Sequence, residues 1–134
     1  MKTYLLLALT LIPVIAFSQI DKIGYTKTQI LNSTDGDPCK ITDNGIWYCG
    51  KNGSLINYTF RNNLVNSVMY MWEFNSKYEA DLDVKNEIAK YKITYGRPEM
   101  KEDQAFWFSG NLLIHVFYGY TNGKHYCCWS VSER

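Results

Sequence analysis

Asp35–Gly50 reads DGDPCKITDNGIWYCG, and sixty residues later Tyr95–Gly110 reads YGRPEMKEDQAFWFSG. Both stretches write Gly-x-Pro, then an aspartate, a tryptophan and a glycine at the same distances. At an offset of 60, Thr34 matches Thr94, Gly36 matches Gly96, Pro38 matches Pro98 and Asp43 matches Asp103. Trp47 then matches Trp107, Gly50 matches Gly110, Tyr58 matches Tyr118 and Asn62 matches Asn122, which makes 8 identities in the 29 positions from 34 to 62 without a gap. Ordinary composition would supply about two. A unit written twice points to duplication and fusion, not to a solenoid.

Each copy reads as a helix followed by three strands. Thr26 and Gln29 form a T-x-x-Q capping box ahead of Ile30 and Leu31, and Pro38 prevents that helix from continuing. In the second copy Ser76 and Glu79 form the box. Val84, Ile88, Tyr91 and Tyr95 follow at helical spacing before Gly96 and Pro98. Strands are expected at 46–50, 54–61 and 64–72, and again at 106–110, 112–121 and 124–131. The turns between them are signalled by Asn52-Gly53, Asn62-Asn63 and Asn122-Gly123, residues that tolerate positive φ. Short local connections make the strands antiparallel. The expected fold is α+β: two tandem α-β-β-β repeats, residues 19–74 and 75–134, forming one antiparallel sheet with helices on one face.

Counting outward from two-residue loops assigns faces, because cross-strand partners share one. Phe60 then opposes Val65, Tyr58 opposes Ser67, and Ile56 opposes Met69. Tyr120, Tyr118 and Val116 oppose His125, Cys127 and Trp129. This count sends Trp47, Ile56, Tyr58, Phe60, Val65, Met69, Met71, Val116, Tyr118, Trp129 and Val131 toward the helices. The opposite side receives Tyr48, Asn57, Tyr70, Trp72, Phe108, His115, Phe117, Tyr126 and Cys128. Two helices cannot cover both faces, and an exposed aromatic sheet face is a candidate interaction surface.

The first residues stand apart. Met1-Lys2 is positive, Tyr4–Phe17 is almost unbroken apolar sequence, and Ala16-Phe17-Ser18 supplies small residues at a signal-peptidase position. Residues 1–18 therefore read as a secretory signal, too short an apolar run to span a membrane, where about 20 residues are needed. Removing Lys2 leaves 13 basic and 13 acidic side chains, scattered without a basic stripe. Nucleic acid and anionic membrane are poor partners for such a surface. Export, to the periplasm or the exterior, agrees with four cysteines forming disulfides, although four cysteines allow three pairings.

Gly24-Tyr25-Thr26-Lys27-Thr28-Gln29-Ile30, then Gly36-Asp37-Pro38, Trp47-Tyr48, and Phe60 five residues before Val65, resemble the SmpA/OmlA outer-membrane assembly lipoproteins. Two such units in tandem resemble the β-lactamase inhibitor protein fold. The resemblance implies a curved sheet whose concave face grips a protein partner, with helices behind it. It also implies a disulfide in each half, and Cys39 and Cys49 occupy that place in the first copy. Glu99 and Ser109 stand there in the second, and no cysteine follows the apolar leader to carry a lipid.

Catalytic chemistry finds little support. His125 and Cys127 are two apart on one strand, about 6.7 Å, too far for a direct bond. The two histidines and the remaining cysteines match no familiar zinc spacing. Asp81 and Asp83 suit a helix N-terminus, and Asp35, Asp37, Glu99, Glu102 and Asp103 fall in turns. The expectation is a non-enzymatic, cofactor-free protein that binds another exported or envelope protein, or inhibits it, through the aromatic face. The alternative is an envelope-assembly accessory, with a homodimer burying that face.

Overall fold

The computed structural model describes residues 20–134. The signal-peptide assignment for residues 1–18 lies outside the described residues. Helix α1 (Lys27–Ser33) is followed by strands β1 (Lys40–Thr42), β2 (Gly45–Cys49), β3 (Leu55–Arg61) and β4 (Leu64–Phe74). Helix α2 (Lys77–Tyr95) is then followed by β5 (Glu99–Lys101), β6 (Gln104–Ser109), β7 (Leu112–Thr121) and β8 (Lys124–Glu133). All eight strands form one antiparallel sheet in the order β1-β2-β3-β4-β8-β7-β6-β5.

Both helix starts follow from their caps. The Thr26 hydroxyl accepts from the Gln29 backbone while the Gln29 side chain accepts from the Thr26 backbone. Ser76 accepts from the Glu79 backbone in the same way. These contacts satisfy donors that the first helical turn leaves orphaned. α2 carries Val84 and Ile88 into the core and stacks Tyr91 on Trp129 and against Trp107. At its end the Trp107 indole donates to the Gly96 carbonyl at 2.9 Å, tying the helix terminus to β6. Both helices pack on one face of the sheet, where Ile30, Val84 and Ile88 share a core with Ile46, Tyr58, Val68, Ile114, Trp129 and Val131.

Each half holds four strands, not the three expected. β1 and β5 are three-residue exposed strands that fold back on β2 and β6 through Asp43-Asn44 and Glu102-Asp103. The halves share an order of elements yet differ in detail. α1 has 7 residues and α2 has 19.

Two local features change the faces in the first half. Asn52-Gly53 does not make a two-residue loop. The Gly50 amide donates to the Ser54 carbonyl at 2.7 Å, enclosing the three-residue loop Lys51–Gly53 with φ +78° at Gly53. Loops of this length end in a left-handed residue, which glycine adopts without strain. The register therefore shifts by one, so that Ile46 opposes Tyr58 and Trp47 opposes Asn57. The second feature is a bulge in β4. Phe60 opposes Val65 as expected, but Thr59 opposes Ser67 and Tyr58 opposes Val68, leaving Asn66 unmatched. One extra residue reverses every later side chain on the strand.

Tyr48, Tyr70 and Trp72 thus sit on the helix side, not on the open face. Tyr48 is buried edge-on against Tyr58, and Tyr70 lies against Trp72 with ring centroids 4.2 Å apart. Trp47, Met69 and Met71 move the other way. In the second half no bulge intervenes. Tyr118 opposes Cys127 and Val116 opposes Trp129, and the expected faces hold.

Candidate functional site

The face away from the helices can be built row by row from the register. One row runs Trp47, Asn57, Met69, Ser130, His115, Phe106 across β2, β3, β4, β8, β7 and β6. The next runs Leu55, Met71, Cys128, Phe117. A third carries Thr59, Ser67, Ser132, Leu113 and Phe108. On these six strands the three rows contain no Asp, Glu, Lys or Arg. Formal charge begins at the rows' ends, with Lys40 beyond Trp47 and Glu99 beyond Phe106, and in the adjacent row, where Glu73 opposes Tyr126 and pairs with Lys124.

Four of the seven aromatic or histidine residues expected at the binding face are brought together there: Phe108, His115, Phe117 and Tyr126. His115 is clasped between two phenylalanines. Its ring stacks on Phe106 at 4.3 Å and 9°, and on Phe117 at 4.2 Å and 17°. Nε2 lies 2.8 Å from Gln104 Oε1, which orients the ring. Because glutamine Oε1 only accepts, this bond calls for the Nε2–H tautomer. Burial lowers the His115 pKa, since the desolvated ring favours its neutral form. Phe108 is 53% exposed, and the Arg134 guanidinium lies 4.9 Å from its ring centroid.

The centre of the face is packed even though neither described helix lies over it. Met71, Tyr126 and Cys128 are buried in a cluster with Leu55, Met69 and Phe117. Gly119 makes room for this cluster, because a Cβ at that position would lie 2.8 Å from Cys128 Sγ. Asn57 is buried as well, with its amide held by the Ile46 carbonyl and the Thr59 hydroxyl. Phe106, Trp47, Met69 and Met71 were not expected on this face. For Met69 and Met71 the readable signal was Val65-Asn66-Ser67-Val68, where two buried valines three apart break the strand period of two.

The cysteines divide into two kinds. Cys39 and Cys49 are joined by a disulfide, with Cα atoms 5.8 Å apart, closing the β1–β2 edge. Cys127 and Cys128 are free buried thiols pointing to opposite faces of β8. Burial pushes the Cys127 thiol pKa up, reinforced by the nearby Asp83 carboxylate, and pushes Cys128 up to about 12. A nucleophilic cysteine needs the reverse shift. Neither histidine is bonded to a thiol, because His115 holds Gln104 and His125 Nδ1 lies 2.8 Å from the Tyr118 hydroxyl. Among the described residues no three His, Cys, Asp or Glu side chains group as a metal site. No described helix is long and apolar enough to cross a membrane.

Comparison with protein-family models, with curated proteins and with solved structures returned no match.

Proposed function

We propose that this chain is an exported, non-enzymatic protein-binding module of the inhibitor-like kind, gripping another exported or envelope protein with its open sheet face. The observation that carries this reading is the uncharged band of Trp47, Met69, Met71, Phe106, His115, Phe117 and Phe108 on the side opposite both helices. Interface cores are depleted in charge and enriched in aromatic residues and methionine, as this band is. The disulfide agrees with export. A duplicated ancestral unit accounts for the matching order of elements and for the tandem resemblance to the inhibitor fold. The surface itself relies on neither, because it follows from the strand register.

The test is affinity capture from the native envelope and secreted fractions, comparing the protein with a Phe106→Ser/Phe117→Ser variant. Two aromatic anchors of a binding surface are together worth at least about 3 kcal/mol, more than a hundredfold in affinity. A partner held by the native protein and lost by the folded variant supports the surface. Equal recovery by both refutes it.

A second reading has its own support. Lys40 and Glu99 stand at opposite ends of one row. Two copies docked face to face about a two-fold axis parallel to the strands would set each lysine against the other copy's glutamate, over a neutral centre. Sedimentation of Glu99→Lys separates this homodimer from a foreign partner. A dimer should dissociate in the variant, and a concentrated native protein that is strictly monomeric removes the reading.

A further inference from the structure

A second concave feature lies on the helix side, away from the open face. The sheet is eight strands wide, and α2 packs mainly on β8, β7 and β4 and meets β6 at Trp107, which leaves β5 at its flank. The space between the helix and the β5–β6 hairpin is a groove of about 440 Å³, within the volume range of small-molecule sites. Its apolar lining is Val84, Ile88 and Ala89 from α2, facing Met100 and Tyr118. Met100 is 51% exposed even though it is turned toward the helix, because nothing among the described residues fills the gap. The lining residues of α2 run from Asp81 to Lys92, a length of about 16 Å at the helical rise. A linear ligand suits that shape better than a compact one.

Charge gives the groove a direction. At one end Asp81 is ion-paired with Lys77, which also caps the Tyr118 ring at 4.7 Å, and Asp103 acts on the same ammonium. Along the remaining length Lys85 and Lys92 project from α2, and neither has an ion-pair partner among the described residues. One end thus sets a single ammonium against two carboxylates, and the other holds unpaired positive charge beside apolar surface. We propose that this groove binds linear amphipathic anions, medium-chain fatty carboxylates, with the chain along Ile88 and Met100 and the carboxylate at Lys85 and Lys92. A cationic head would meet like charge there, and a neutral head would forgo the ion pairs.

The methionines make the test direct. Of the four in the chain, Met69 and Met71 report on the open face and Met100 on the groove, while Met1 precedes the described residues. Protein labelled with ¹³C at the methionine methyls is titrated with sodium decanoate below its micellar range, with decyltrimethylammonium as control. The Met100 methyl should shift saturably with decanoate while Met69 and Met71 stay in place, and the cationic amphiphile should bind more weakly. Lys85→Gln/Lys92→Gln should weaken decanoate by about three- to tenfold, with the unchanged Met69 and Met71 signals showing that the variant is folded. No shift at Met100, equal shifts at all three methyls, or unchanged affinity in the double variant overturns the proposal. None of these outcomes bears on the protein-binding face, which the Phe106/Phe117 variant tests separately.

Discussion

Replacing Cys39 and Cys49 with serine should cost stability by an amount that can be worked out from the loop they close. The bridge spans a sequence separation of 10 at the outer edge of the sheet, where Cys39 also donates its amide to Trp47. Chain-entropy reasoning assigns a loop of that length about 2.7 kcal/mol, through the unfolded ensemble. A domain of about 115 residues melts with an entropy of roughly 0.24 kcal/mol/K, so the melting temperature should fall by about 11 °C. Thermal unfolding by circular dichroism, with and without reductant, is the assay. Reductant should lower native stability by the same amount and leave the variant unchanged, because Cys127 and Cys128 are already free. Native-state alkylation after reduction should mark Cys39 and Cys49, which are exposed, and spare the two buried thiols. A loss below about 1 kcal/mol would refute the entropic account for this edge. A further loss on reducing the variant would mean that the β8 thiols are not free in solution.

Two other perturbations probe the open face. Gly119→Ala pushes a Cβ to 2.8 Å from Cys128 Sγ, an overpacking expected to cost about 1–2 kcal/mol in a denaturant melt; Cys128→Ala in the same chain should recover part of that loss. His115 is held neutral by burial, its folded pKa below the unfolded value. Its stabilising contribution is therefore complete above about pH 6.5 and is lost as pH falls through the lowered folded value. His115→Phe, which keeps the stack with Phe106 and Phe117, should melt with a flatter profile than the native protein between about pH 7 and 5. Parallel profiles would show that another group controls the acid limb.

What the amino-acid order determined on its own is everything that depends on a few neighbouring residues. The capping box at Thr26 and the N-cap at Ser76 start both helices where expected, although the Glu79 side chain does not return the bond. Asn62-Asn63 and Asn122-Gly123 turn with positive φ at all four positions. Six strands fall within two residues of their expected bounds. The second half of the open face was legible too, because an uninterrupted hairpin carries the face outward from its turn without error. β1 and β5 could have been found from Asp43-Asn44 and Glu102-Asp103, which sit between short segments, but such strands bury nothing and leave no hydrophobic signature.

The tertiary structure decided which side of the sheet the first half presents. Tyr70 and Trp72, or Met69 and Met71, would serve equally well as core, since the strand is apolar on both faces from Val68 to Trp72. Only the pairing of β4 with β8, which sets Tyr70 against Trp129 and Met71 against Cys128, makes the choice. Side chains alternate with a period of two, so a strand's face is a parity, and a third residue in the Lys51–Gly53 loop or an unmatched Asn66 inverts it. Local chemistry sets where a strand begins and ends. Which of its two faces meets the helices is settled by the packing of the whole sheet, where a one-residue slip would exchange a full set of buried side chains for exposed ones.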